Sequence, residues 1–563
     1  MNESQKRDIQ TGDYPTKHLL QHHLFKPNSP YLAEDERVAI SYQRAREIGR
    51  AYEFTAHDIH KLTPKFWKLH ADPINTRDNA AFTLLTIQYN LAAGTIAPYA
   101  AKLPHLQTLL KSILNFDVSA QYLLTEVGHG LDAPNLETTA TLLTDGGFEL
   151  HTPHDGAVKI MPPTSPRGIP CVGVVMARLL VNGQDRGIRP FIVNINNGKH
   201  MYKGITSRNL PTRTGSKPLH HSLTTFTHLN LPPTSLLGAL STPEPHFQAT
   251  IWRVGVGSLA LSLTYIPILK VSLYIVSQYS LRRLIQQNRL PIITFSTQHR
   301  PLLFALSRIT VWESYAGAAL RLYLDANLSD KVRAGIAAAF KACLTRGVQG
   351  SLYWLAERCG AQGLFVHNQI VELQLAARGV SIAEGDVLAL CIRLATELLI
   401  GRYALPAPTN PSCFLALHEA GLFQEARSLM STMSSHRSPE FNQLILPLCQ
   451  PLVESIGERM AYEAAVADNI DKDILDLYEV SAMMRDLSWF TENLGMTREE
   501  VKRRESETYG KVLGKFGACL RGLGVEEYCT APIMTEQGSK AFIDGLKVFG
   551  SEERDEGTVK AKL

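Results

Sequence analysis

The chain reads as a multidomain α+β protein: a helical N-terminal part, a central β-rich part and two further helical blocks. Three observations predict this. Apolar residues recur at helical spacing up to about residue 120. Between about 121 and 245, glycine, proline and threonine rise and the pattern becomes short and alternating. From about 246 long helical periodicities return. At 563 residues the chain also exceeds one ordinary core, so two to four domains are expected.

The elements follow in order. Residues 1–120 form the first helical domain, with Glu34 to Ala56 carrying Val38, Tyr42, Ala45 and Ile48 on one face, and a second helix at Asn79 to Tyr99. Pro73 and Pro104 punctuate it. Residues 121–245 form the β domain. Gly147 to His151 and Ala157 to Met161 read as two strands around a turn at His154-Asp155-Gly156. Cys171 to Val181 is a longer β-branched run ending at Asn182-Gly183. Pro190 to Ile195 and Leu223 to Leu231 are further strands. Residues 246–430 form a helical bundle with Trp252 to Ser280, His299 to Ala326, Lys331 to Thr345 and Ile382 to Leu399 as its clearest helices. A second helical domain spans 440–545, with Arg498 to Lys511 charged and solvated, and 546–563 is an exposed tail. Pro406 to Ser412 and Ser431 to Pro439 read as loops.

Composition excludes several classes. Apolar residues make up 45% and charged residues 20% of the chain, which is globular and not disordered. The net charge of +4 comes without a long Lys/Arg run, so no nucleic-acid partner is expected. Eight scattered cysteines with no C-x-x-C spacing read as free thiols, and His57-x-x-His60 lacks a third ligand, so no metal is expected. The greasy stretch Gly257 to Val276 contains Pro267 and Lys270 and reads as a buried helix, since a membrane span needs about 20 apolar residues with few charges. The N-terminus is polar and charged, unlike a signal peptide.

The most informative string is Leu124-Thr125-Glu126-Val127-Gly128-His129-Gly130, running on to Leu136-Glu137-Thr138-Thr139-Ala140-Thr141. A threonine hydroxyl and bare amides in a tight turn suit the edge of a flat cofactor. The string resembles the flavin-facing loop of the peroxisomal acyl-CoA oxidases, where T-E-x-G-H-G is followed by L-E-T-T-A-T. The resemblance covers roughly residues 80 to 545. It implies an N-terminal helical domain, a β-barrel and helical-bundle domains, as in the acyl-CoA oxidases and dehydrogenases. It also implies FAD as cofactor, Thr125 and Gly130 at the flavin, and a homodimer that builds each flavin site from two chains.

Other strings extend the resemblance. Ser381-Ile382-Ala383-Glu384-Gly385-Asp386 is similar to the aromatic-Glu-Gly string that carries the family's base, with Ala383 where the aromatic stands. Glu384 is thereby the catalytic candidate, and desolvation before an apolar helix would raise its pKa. The bland alternative is a helix-start carboxylate. Arg358-Cys359-Gly360-Ala361-Gln362-Gly363 resembles the family's C-G-G-H-G run beside a neighbouring subunit's flavin, with Ala361 for a glycine and Gln362 for the histidine. Gly360, Gln362 and Gly363 are thereby cofactor candidates, against a plain helix C-cap at Gly360. Arg282-Arg283 resembles a stretch where an arginine meets the FAD pyrophosphate, and Thr297-Gln298 a pair that follows it, so Arg282 and Gln298 join the list. The family's Lys-Trp-Trp-Pro-Gly strand reads here Lys159-Ile160-Met161-Pro162-Pro163-Thr164-Ser165, with both tryptophans gone. Thr164 or Ser165 is taken to supply a hydroxyl in their place, and Thr164 is the cofactor candidate.

The resemblance thus implies α,β-dehydrogenation of an acyl-CoA thioester to the trans-2-enoyl thioester, with O2 reoxidising the flavin to give H2O2. Two alternatives stay open: the same scaffold acting on a non-standard acyl substrate, and a flavin-free acyl- or partner-binding homologue. The terminal Ala561-Lys562-Leu563 is a variant of the Ser-Lys-Leu address, which implies a peroxisomal import receptor as partner.

Overall fold

The computed structural model describes residues 13–29, 31–240, 247–287 and 289–550. Ala561-Lys562-Leu563 and most of the tail lie outside the described residues.

The N-terminal part is helical. Glu34–Tyr52 ends where Glu53 turns left-handed at φ 43°, short of the Ala56 expected, and a capped helix Ala56–Lys61 follows. Asn79–Thr86, Ile87–Ala93 and Gly94–Ala100 run on without a break, the middle piece being π-helical. π turns concentrate at functional positions. This one carries Gln88 and Asn90, both buried. Gln88 donates to the carbonyls of Ile113 and Val118 at 2.8 and 2.7 Å and accepts from Ala120 N at 2.6 Å. One amide thereby fixes the start of the β region against the helix.

The β region has nine strands in two sheets. β1 (Ser119–Leu123), β2 (Thr139–Leu142), β3 (Phe148–His151), β5 (Cys171–Val181), β6 (Gln184–Asn196) and β9 (Leu229–Leu231) form one curled sheet. β4 (Lys159–Met161), β7 (Ile205–Asn209) and β8 (Ser222–Phe226) form the other. β5 and β6 pair antiparallel across the turn at Asn182 and Gly183, both at positive φ. The expected pairing around His154-Asp155-Gly156 does not occur. β3 pairs with β2 and β9, β4 pairs with β8, and a short 3-10 turn at Asp155–Ala157 carries the chain from one sheet to the other. β5 shows why the β region sits where it does. Val172, Val174 and Met176 face the large core shared with the helices, while Cys171, Val175, Ala177 and Leu179 face the core between the sheets, the period-2 alternation of a strand.

The C-terminal helices complete the large core. Trp252–Leu263 and Tyr265–Arg282 form a run long and apolar enough to cross a membrane by composition, but 94% of its apolar window is buried inside the protein. Ser296–Leu324 and Asp330–Glu357 pack beside it, and Phe414–Met430, Cys449–Ala467, Lys472–Met483 and Arg498–Gly522 add a further layer. Pro406 to Ser412 and most of Ser431 to Pro439 are outside regular structure, as their composition predicts.

Candidate active site

Glu384 sits in a break between two helices. Ile370–Ile382 ends at an extended Ala383, and Val387–Leu399 begins at Asp386, whose carboxylate accepts from Ala389 N at 3.1 Å. The helix expected from Ile382 therefore starts at Val387. Between the helices Glu384 is left-handed at φ 51° and Gly385 lies at φ 99°, the latter open only to glycine without strain. Buried donors tie every carbonyl of this turn. The Lys341 ammonium donates to Ala383 O at 2.7 Å and Gly385 O at 2.5 Å, and Ser258 Oγ donates to Glu384 O at 2.6 Å.

The carboxylate turns in toward the π turn. Asn90 Nδ2 donates to Oε2 at 2.6 Å and Thr86 Oγ1 to Oε1 at 3.4 Å. Burial pushes Glu384 up to about 8, opposed by the charges of Lys341 and Arg253 and by the bonds from Asn90 and Thr86. Burial also pushes Lys341 down to about 8 and Arg253 down to about 9. The Tyr122 hydroxyl on β1 is raised by burial and then by the Glu384 charge. Arg253 is fully buried: Nε donates to Asn90 O at 2.7 Å, Nη1 to Ile59 O at 3.1 Å, and the guanidinium lies 5.0 Å from the Phe66 ring centre. Arg253 Nη2, Asn90 Oδ1 and Tyr122 Oη are buried without a partner among the described residues. A carboxyl with proton affinity near neutrality, held by fixed donors, suits proton abstraction from a weakly acidic carbon. Sequence reading found Glu384 and none of its holders. Their signal was polar residues in apolar helices, Asn90 before Leu91-Ala92-Ala93 and Lys341 within Ala338 to Leu344.

The loop at Thr125 lies just past Tyr122. Thr125 O accepts from Ile160 N at 3.0 Å, and its half-buried hydroxyl has no hydrogen-bond partner among the described residues. Gly130 is exposed, with open space where a Cβ would stand. Glu126, which sequence reading passed over, holds the string together. Its buried carboxylate accepts from Lys159 Nζ at 2.8 Å, Glu137 N at 2.7 Å and Thr138 N at 2.9 Å. Much of this string is thus a folding device joining the two sheets. Thr164 corrects the expectation of an available hydroxyl: it is fully buried, with Oγ1 bonded to Ser207 and Thr224 at 2.8 Å each. β4 enters the second sheet there, and the hydroxyl faces that sheet's interior.

Arg282, Gly360 and Gln362 come together at a separate cavity of about 1110 Å³, lined also by Arg283, Tyr279 and Phe542. Arg282 Nη2 donates to Ile533 O at 2.9 Å and Ser539 Oγ at 3.2 Å, while its Nε is buried and unpartnered among the described residues. Gly360 is left-handed at φ 57° with nothing near a built Cβ, so its backbone face is open. Gln362 accepts from Asn368 Nδ2 through O at 2.9 Å and Oε1 at 3.1 Å. Gly363 differs from expectation. A Cβ there would collide with the Ala356 carbonyl, so packing against the preceding helix already requires this glycine. Gln298 is outside the cavity lining, its Oε1 buried and unpartnered among the described residues, and Arg358 Nη1 joins its neighbour Thr297 O to the 358–363 turn at 3.1 Å. Two arginines beside an open glycine backbone fit an elongated phosphate-bearing group.

No protein-family model matches this sequence. In sequence it is similar to the peroxisomal acyl-coenzyme A oxidase 2 of Arabidopsis thaliana, 25% identical over 392 residues, which cover 63% of this chain and 55% of that relative. The match thus spans little more than half the relative's length. In structure it is similar to acyl-CoA oxidase 1 from Yarrowia lipolytica, with TM-score 0.77 and 17% identity over 99% of this chain and 93% of that one. It is also similar to acyl-CoA oxidase-2 of Caenorhabditis elegans bound with FAD, ascaroside-CoA and ATP, with TM-score 0.71 and 16% identity over 95% of this chain and 96% of that one.

Proposed function

We propose, from the premise that this chain belongs to the acyl-CoA oxidase/dehydrogenase superfamily, that it removes two hydrogens from the Cα–Cβ bond of an acyl-CoA thioester. The observation that carries the reading is Glu384, a half-buried carboxyl pushed up to about 8 and held by Asn90 at 2.6 Å. Its role is the base. Carboxylate Oε takes the α proton and Asn90 and Thr86 keep it aimed, while Lys341 and Arg253 favour the ionised form that must be present before abstraction. The product is the trans-2-enoyl thioester.

The residues fit FAD. Arg282, with its orphaned buried Nε, and the open backbone of Gly360 suit the pyrophosphate, and the free hydroxyl of Thr125 suits the ring edge. FAD, when bound, supplies the hydride acceptor and passes the electron pair to dioxygen, giving hydrogen peroxide. A homodimer belongs to the reading: Leu364, Phe365 and Val366 stand exposed beside Gly360 and Gln362, an apolar patch that a second copy would cover. So does a peroxisomal setting, the compartment printed in the name of the Arabidopsis relative.

A second reading keeps the chemistry and changes the substrate to an oxygen-bearing acyl group. It is favoured by Arg253 Nη2 and Asn90 Oδ1, buried and unpartnered among the described residues beside Glu384. Addition of acyl-CoAs to the purified protein, supplied with FAD, without oxygen tests both. Bleaching of the flavin bands by a plain medium-chain acyl-CoA, absent in Glu384→Gln, supports the first. Bleaching only by hydroxy-, oxo- or carboxy-acyl-CoAs supports the second. A protein that takes up no FAD refutes both.

A further inference from the structure

Lys341 is a buried ammonium with no carboxylate within ion-pair distance among the described residues. A buried ammonium whose only direct partners are carbonyls is costly to desolvate and is retained where something else requires it. Its two bonds go to Ala383 O and Gly385 O, the carbonyls on either side of Glu384. Ser258 Oγ, from a different helix, takes the carbonyl between them. Bulk alone at this position would need only a methionine. What the ammonium adds is a pair of donors straddling one residue and a positive charge beside it. The groups facing Lys341 are Glu384, Asp386 and Cys391, and those facing Glu384 are Lys341, Arg253 and Tyr122.

We propose that Lys341 is the positioning residue of this site: by tying the Ala383 and Gly385 carbonyls it holds residue 384 left-handed and fixes its carboxylate against Asn90. The inference rests on Glu384 as the base. Without the two ties the turn relaxes toward the extended Ala383 side, and the carboxylate leaves its slot.

The test compares Lys341→Met, Lys341→Arg and Glu384→Gln with wild type, each as full-length FAD-loaded enzyme, by kcat, KM and the pH profile of kcat/KM. Lys341→Met is expected to lower kcat on the order of 100-fold with little change in KM, the scale of a misplaced reacting group. Its acid limb moves to higher pH, because the cation that favours the carboxylate is gone. Loosened packing alone would lower stability without moving that limb. Lys341→Arg keeps the charge and donors for both carbonyls, so the limb stays and kcat is largely rescued. If Lys341→Met does not fold, Lys341→Gln, which keeps a donor group and loses the charge, carries the test by the same readouts, and wild-type kcat and limb there overturn the proposal. Wild-type kcat and limb in Lys341→Met also overturn it. An active Glu384→Gln instead refutes the base itself, whatever the lysine variants do.

Discussion

The Glu384 carboxylate occupies the space that a side chain at residue 257 would fill. A Cβ built on Gly257 falls on Oε2 of Glu384 and stands 2.6 Å from Asn90 Nδ2. The glycine is thus part of the slot, although it lies 127 residues earlier in the chain (384 − 257).

Gly257→Ala is therefore expected to expel the carboxylate. The cost in stability is small, because the displaced group is the end of a flexible side chain; about 1–3 kcal/mol bounds it as an overpacked site. The cost in kcat is on the order of 100-fold. Urea unfolding and steady-state kinetics on one preparation separate the two, and wild-type kcat would show that the working carboxylate lies elsewhere.

Glu384→Gln should change how stability depends on pH. Burial raises this carboxyl from 4.5 to about 8, so the folded protein holds the proton more tightly than the unfolded chain. The stability this contributes is complete below pH 4.5 and is lost as pH rises through 8. The glutamine variant cannot ionise. Its melting temperature should gain on wild type across that window and keep the gain above it. A difference between the two that stays flat with pH would contradict the burial of this group.

The Glu126–Lys159 pair joins the two sheets with both side chains fully buried. Lys159→Met leaves a buried carboxylate with only the two backbone donors at Glu137 and Thr138. The expected loss is about 3–5 kcal/mol, the usual penalty for breaking a buried pair. Denaturant midpoints with unchanged m-value would measure it. A loss under about 0.5 kcal/mol, the range of ordinary surface changes, would mean the pair carries no such load.

How much of this was legible follows from what kind of signal each residue leaves. The chain order of helical and β texture was readable because periodicity is local: β5 announces itself as Cys171 to Val181 and ends at Asn182-Gly183. Glu384 was legible because Ala383-Glu384-Gly385 resembles the family's aromatic-Glu-Gly string, whereas the break around it, between Ile370–Ile382 and Val387–Leu399, was not. Nor were the holders of Glu384, since Asn90 and Lys341 reach it from distant helices, and a lone polar residue in an apolar helix does not say what it faces. The β3–β4 pairing failed for the same reason: a short turn signal fits a hairpin and a crossing between sheets equally well. Glycines gave the least. Gly360 and Gly363 look alike in sequence, yet one has an open face and the other abuts the Ala356 carbonyl.

Arg282 and Thr164 make opposite predictions about FAD. Arg282 lines the large cavity and keeps a buried Nε without a partner among the described residues, so it has a donor to give. Thr164 has its hydroxyl closed between Ser207 and Thr224. A hydrogen bond to a charged group contributes about 1.5–3 kcal/mol, so Arg282→Met should weaken FAD binding roughly 10- to 100-fold. Thr164→Val should leave FAD affinity unchanged and lower stability only, by about 1–3 kcal/mol for the hydroxyl partners left unsatisfied. Quenching of flavin fluorescence on titration into apoprotein reads the affinity. Because Arg282 also holds Ile533 O and Ser539 Oγ, thermal unfolding of the same variant must stay near wild type for the affinity change to count. Equal FAD affinity in wild type and Arg282→Met, or a loss in Thr164→Val, would move the phosphate-binding role away from this cavity.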